Sequence, residues 1–185
     1  MSGIPLLPPS FYSILERCSG DILNILAAEI VEKKMDKANL VMGLAAAFDQ
    51  ADTQAMTEFL HEEFTTEEFF PESMRRPHFL RYVQALKRAF PDMRLNMKVI
   101  RIGDTSVRGL FSWCGTQTGD LDLPFIGIPR VPATGMAVAL PREPVDFIFA
   151  GEKIVKMRFE TASGGDFRAI LRQLGAELEG DESGT

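Results

Sequence analysis

The sequence predicts an α+β fold in which helices cover one face of a curved, largely antiparallel sheet. Three observations carry that expectation. Apolar residues recur at helical spacing through most of the chain up to Phe90. From Met93 onward they alternate with polar residues at the period of a strand. Turn signals such as Gly103-Asp104 and Gly151-Glu152 then separate one strand from the next.

The elements follow in order. Ser10 can cap a short helix with Phe11, Ile14, Leu15 and Cys18 on one stripe, and Gly20 ends it. Asp21 can cap a second helix over 21–34, bearing Ile22, Ile25, Leu26 and Ile30. A third, about 36–50, carries Leu40, Val41, Leu44, Ala45 and Phe48. Asp52 or Thr53 opens a short helix with Met56, Phe59 and Leu60. A first strand is expected over Phe64–Phe70 and a helix over Arg76–Phe90, which Pro91 stops.

Met93, Leu95, Met97 and Val99 define one face of the next strand, and Val107–Thr116 returns beside it. A proline-bearing loop is expected over 119–134, then a strand over Met136–Leu140. Val145–Phe149 and Ile154–Thr161 form a hairpin, with Val155, Met157 and Phe159 sharing a face. A last helix, about Asp166–Leu174, ends at Gly175. Residues 1–35 read as an added helical segment, a lid over a pocket mouth. Residues 36–175 form the domain, and 176–185 an acidic, solvated tail.

Composition excludes several functions. The chain has 185 residues, 45% of them apolar and 25% charged, which suits one globular domain. No apolar run reaches the roughly 18 residues of a membrane span. The start lacks the pattern of a secretory signal, so a cytoplasmic protein is expected. Nucleic acid is not an expected partner at a net charge of −6. The best basic cluster, Arg75, Arg76, Arg81, Lys87 and Arg88, has the spacing of a solvent-facing helix side. Cys18 and Cys114 read as buried free thiols. His61, Glu62 and Glu63 lack metal-ligand spacing, and neither a metal nor a cofactor is expected.

Several segments resemble one family. Ala89-Phe90-Pro91-Asp92-Met93-Arg94-Leu95 resembles the helix-to-strand junction of SnoaL-like proteins. Gly115-Thr116-Gln117-Thr118-Gly119 is similar to their Gly-Thr-His-Thr-Gly turn, and Pro132-Ala133-Thr134-Gly135 to their Pro-Pro-Thr-Gly turn. Gly151-Glu152-Lys153-Ile154-Val155 resembles the hairpin before their last strand. Gly164-Gly165 followed by Ile170–Gly175 resembles their closing helix. The resemblance covers about residues 36–175. It implies a cone-shaped curved antiparallel or mixed sheet with N-terminal helices packed on its concave face. The family shares that fold with nuclear transport factor 2 and scytalone dehydratase.

The resemblance to the polyketide cyclases of this family implies a cofactor-independent cyclase or isomerase of a hydrophobic polyketide- or terpenoid-like molecule. Three departures qualify it. Gln117 stands where the family often has histidine, the proline-rich loop before Pro132 is longer, and Phe159 and Glu160 stand near the family's last-strand aspartate. Glu160 could act as the base only if it turned inward, because one residue of slip reverses the face. Asp146 is the other carboxylate candidate, in the apolar run Pro-Val-Asp-Phe-Ile-Phe. His78, near a helix start, could serve as acid or ligand contact. Arg158 could hold a developing enolate oxygen.

Trp113, Thr116, Met97, Phe147 and Met157 are the expected ligand-contacting residues, although Trp113 and Thr116 have opposite parity on one strand. Two other readings stand beside the enzyme. One is a non-catalytic cone that binds a hydrophobic small molecule, with its charges outside. The other is a dimeric scaffold, since relatives of this fold associate as homodimers through the open sheet face.

Overall fold

The computed structural model describes residues 9–161 and 165–176, with side chains from residue 25 onward. The chain divides into two units, Met1–Asp36 and Lys37–Thr185. The expected acidic tail and Gly164 lie outside the described residues.

Helix α1 runs without a break from Pro9 to Gln50, where the sequence suggested three helices. No proline interrupts residues 10–70. A glycine such as Gly20 inside a helix costs only about 1 kcal/mol, which the surrounding Ala, Leu, Glu and Lys residues offset. Within the second unit α1 buries Val41, Leu44, Ala45 and Phe48, one stripe at i, i+3, i+4 and i+7. Ala51 takes a left-handed backbone, φ 51°, just past its end. Asp52 then caps α2 (Thr53–Phe59), its carboxylate accepting the Ala55 N–H at 3.0 Å.

Strand β1 (Leu60–Glu67) starts four residues before the expected position, and α3 (Arg76–Ala89) follows. The α3 stripe Phe79, Tyr82, Val83 and Leu86 is buried, as its spacing requires. The strands then come in sequence: β2 (Arg94–Ile102), β3 (Ser106–Thr116), β4 (Leu121–Leu123), β5 (Ile128–Val131), β6 (Ala137–Ala139), β7 (Glu143–Ala150) and β8 (Lys153–Phe159). Helix α4 (Phe167–Gln173) closes the described chain, capped by Asp166.

The main sheet has the order β1-β8-β7-β3-β2, with β6 also paired to β3. It is mixed, because β1 runs parallel to β8 while the other pairs are antiparallel. The expected loop over 119–134 is partly a second small sheet. Its strands β4 and β5 pair antiparallel because Leu121, Leu123, Ile128 and Val131 all bury their side chains. A second correction concerns β8. A bulge near Val155 turns Ile154 inward with Met157 and Phe159, and Val155 is only half-buried. Cys114 is likewise half-buried rather than buried. The side chain of Cys18 lies outside the described residues.

The helices cover one face of the curled sheet. Asp49 on α1 accepts the Leu95 N–H at 2.6 Å, and its backbone oxygen accepts from Lys87 on α3 at 2.8 Å. Lys37, 8% exposed, bonds the Asp104 carbonyl in the β2–β3 turn and lies 5.7 Å over the Phe149 ring. Phe64, Phe90, Phe147 and Phe167 are among the fully buried side chains between the layers.

Candidate functional site

A cavity of about 50 Å³ lies in the second unit. At roughly 10–15 Å³ for each water, it has room for only a few water-sized guests in its resting form. Its walls come from every layer: Val41, Leu44 and Phe48 on α1, Phe79 and Tyr82 on α3, and Ile170 on α4. The sheet adds Met97, Phe111, Trp113, Phe147, Met157 and Phe159, whose inward parity follows from the strand registers. Among the described residues no Asp, Glu, His, Lys or Arg lines it. A void with such walls is expected to be dry.

The expected ligand-contacting residues separate by parity. Trp113, Met97, Phe147 and Met157 line the cavity. Thr116 does not. It lies at the end of β3, where its N–H donates to the Asp92 carboxylate at 2.7 Å. That bond holds the Asp92 carboxyl below its usual range.

The expected acid–base residues sit elsewhere. Glu160 follows inward-facing Phe159, so its side chain points to the opposite face, 48% exposed. There it accepts a hydrogen bond from Arg108. Asp146 lies opposite Arg108 in the β3–β7 ladder and accepts from it at 2.8 Å. Arg108 holds the Glu160 carboxyl below the usual carboxylate range. A buried base would have its proton affinity raised instead.

Arg158 pairs with Glu67 on neighbouring β1 at 3.0 Å, and Lys156 bonds the same carboxylate. His78 is exposed near the start of α3, its ring 5.9 Å from that of Phe125. None of these four residues lines the cavity.

Gln117 and Glu143 are two of the four buried polar or charged residues among those described, with Lys37 and Thr66. Gln117 is fully buried and satisfied. Its amide nitrogen donates to the carbonyls of Val131 and Pro132 at 3.2 Å, and its oxygen accepts from the Thr134 hydroxyl at 2.7 Å. It therefore clamps the proline-rich segment. Glu143, 7% exposed, opens β7 with the inward parity of Val145 and Phe147, opposite the cavity residue Phe111. The signal was its even spacing from Phe147, hidden by the flanking prolines. The Glu143 side chain packs against Gly165.

Among the described residues no group of three His, Cys, Asp or Glu side chains is placed to hold a metal. None of their helices is long and apolar enough to cross a membrane.

The arrangement of a curled mixed sheet with covering helices recurs in solved structures. A protein of Jannaschia sp. CCS1, provisionally assigned as a SnoaL-like polyketide cyclase, aligns over 69% of this chain and 85% of its own, with a TM-score of 0.56 at 18% identity. The fold is that of the SnoaL-like proteins. TsrD from Streptomyces laurentii aligns over 77% of this chain and 97% of its own, with a TM-score of 0.60 at 20% identity. A protein of Catenulispora acidiphila with a ketosteroid isomerase-like fold, solved with trimethylamine, aligns over 74% and 92%, with a TM-score of 0.54 at 14% identity. No protein-family model matches the sequence, and no curated protein does. At such identities the shared property is the fold, which hosts many chemistries.

Proposed function

We propose that this SnoaL-like cone is a binding module for a small, neutral, apolar ring compound. The observation that carries the reading is the wall of the cavity, which joins aliphatic and aromatic side chains from three helices and the sheet, and in which Tyr82 is the one ionisable group among the described residues. Burial pushes the Tyr82 hydroxyl well above its ordinary range, so the interior stays uncharged at neutral pH. An anion or cation moved into such walls would lose its hydration with no counter-charge. Neutral rings lose nothing comparable and gain contact with Phe111, Phe147 and Trp113. Met97 and Met157, which have several rotatable bonds, can adjust to a guest larger than the resting cavity.

A second reading is the cyclase or isomerase, supported by the provisional naming of structural neighbours and by Glu143. That carboxylate is buried and shares the inward parity of the cavity strand. Proton abstraction next to a carbonyl can be tested without the natural substrate. Acetophenone in heavy water exchanges its methyl protons when a base removes one to form the enolate and a deuteron returns. Binding without faster exchange than in buffer supports the module. Accelerated exchange that disappears in Glu143→Gln would establish the enzyme reading in its place.

A further inference from the structure

One buried donor on a cavity-lining residue has no acceptor. The Trp113 side chain lines the cavity, the residue is 3% exposed, and its indole Nε1 is buried without a hydrogen-bond partner. It is the unpartnered buried side-chain atom among the described residues. The main chain of Trp113 is otherwise well placed. It pairs with Leu95 on β2, and its carbonyl accepts the Leu140 N–H at 2.8 Å.

The nearest aromatic neighbour does not resolve the matter. The Phe90 ring stands edge-to-face with the indole, 4.9 Å between centroids at 82°. A ring face is at best a weak acceptor. A buried donor left without a true acceptor costs about 1–3 kcal/mol. Buried polar groups are nearly always satisfied in native proteins, so an exception calls for a cause. Water is a poor candidate, because it needs two to four polar partners and these walls supply almost none.

We infer that the ligand of this cavity carries a hydrogen-bond-accepting oxygen, a carbonyl on a neutral ring compound, and that the Trp113 indole N–H is its anchor. The inference rests on the binding reading above and adds the polar group. The apolar walls select the body of the ligand, and the unpartnered indole donor favours an acceptor over a pure hydrocarbon. A carboxylate would also accept from the indole, but its charge would be stranded among Phe111, Phe147 and Met157. The donor thus fixes orientation as well as class: the oxygen end lies towards Trp113.

Acetophenone and α-methylstyrene have nearly the same planar shape, and differ in a carbonyl oxygen against a methylene. Trp113 is the one tryptophan in the chain, so a nitrogen-correlated proton spectrum shows a single indole N–H resonance. Melting temperature reports whether each probe binds, independently of the donor. Both probes should raise it. Only acetophenone should move the indole proton downfield as a new hydrogen bond does. Trp113→Phe should weaken acetophenone about tenfold relative to α-methylstyrene. If both probes bind and the indole responds equally to each, the acceptor inference is wrong while the binding reading survives. If neither probe raises the melting temperature, the binding reading itself is overturned, and the inference with it.

Discussion

Arg108 on β3 and Asp146 on β7 face each other at one ladder position, with 2.8 Å between guanidinium and carboxylate. Arg108 also holds Glu160, which lies beyond the end of β8. One arginine thus binds both carboxylates that the sequence offers as acid–base groups, on the face of the sheet opposite the cavity walls Phe147 and Phe159. Glu160→Gln and Asp146→Asn should therefore leave the affinity for α-methylstyrene unchanged within twofold. Partly exposed ion pairs contribute little to stability, so melting temperatures should fall only slightly. Loss of binding in either variant, with folding intact, would contradict this placement.

Acid should destabilise the protein in a defined window. The carboxyls of Glu67 and Glu160 are held below their ordinary value of 4.5, first by hydrogen bonds from Lys156 and Arg158 in one case and from Arg108 in the other. The carboxyl of Asp92 is held below 3.8, chiefly by the Thr116 N–H. A lowered folded-state pKa means stability that is present above the unfolded value and lost as pH falls through the folded one. Denaturant titrations should show flat stability from pH 7 to about 5 with respect to these groups and a decline below that. The decline should be shallower in Glu67→Gln, which removes one of the linked protons.

Gly165 should be intolerant of a side chain. A Cβ placed there would lie 2.4 Å from Cγ and 2.8 Å from Oε1 of Glu143. Gly165→Ala should destabilise by about 1–3 kcal/mol, the usual range for overpacking. Glu143→Ala in the same chain should recover part of that loss, because the clash partner is gone. Chemical denaturation of the two single variants and the double variant measures the coupling. Additive effects would mean that the two residues do not share the space.

Much of this fold was legible because its signals are periodic. The α3 stripe from Phe79 to Leu86 and the alternation from Leu95 to Val99 fixed face and partner at once. Strand parity also kept Glu160 on the outer side unless the strand slipped, and the structure brings Arg108 between it and Asp146. Three features were not legible. Gly20 looked like a helix stop, but stopping depends on what the following residues bury. The bulge at Val155 has no residue signature and exchanged Ile154 for Val155 on the inner face. β4 and β5 were hidden in a proline-bearing stretch, where the buried Leu121, Leu123, Ile128 and Val131 decide the pairing.

The candidate site divided in the same way. Trp113, Met97, Phe147 and Met157 could be placed by parity, whereas the clamp made by Gln117 depends on a segment 14 residues away in sequence. Glu143 is masked in sequence by Pro141 and Pro144, which disfavour a strand interior. Pro144 nevertheless pairs in the sheet opposite Leu110, and its carbonyl accepts the Glu160 N–H at 3.0 Å.

The most direct test of an apolar ligand cavity uses its own tryptophan. α-Methylstyrene titrated into the protein should change Trp113 fluorescence saturably and raise the melting temperature in parallel. Gly109 supplies the control, since a Cβ there would meet Met97 Sδ at 2.9 Å and Phe147 Cε2 at 3.5 Å, both from cavity walls. The expected result is saturable binding to the native chain and its loss in a folded Gly109→Val variant. A linear, unsaturable response, or equal binding to both proteins, would contradict the cavity as the site.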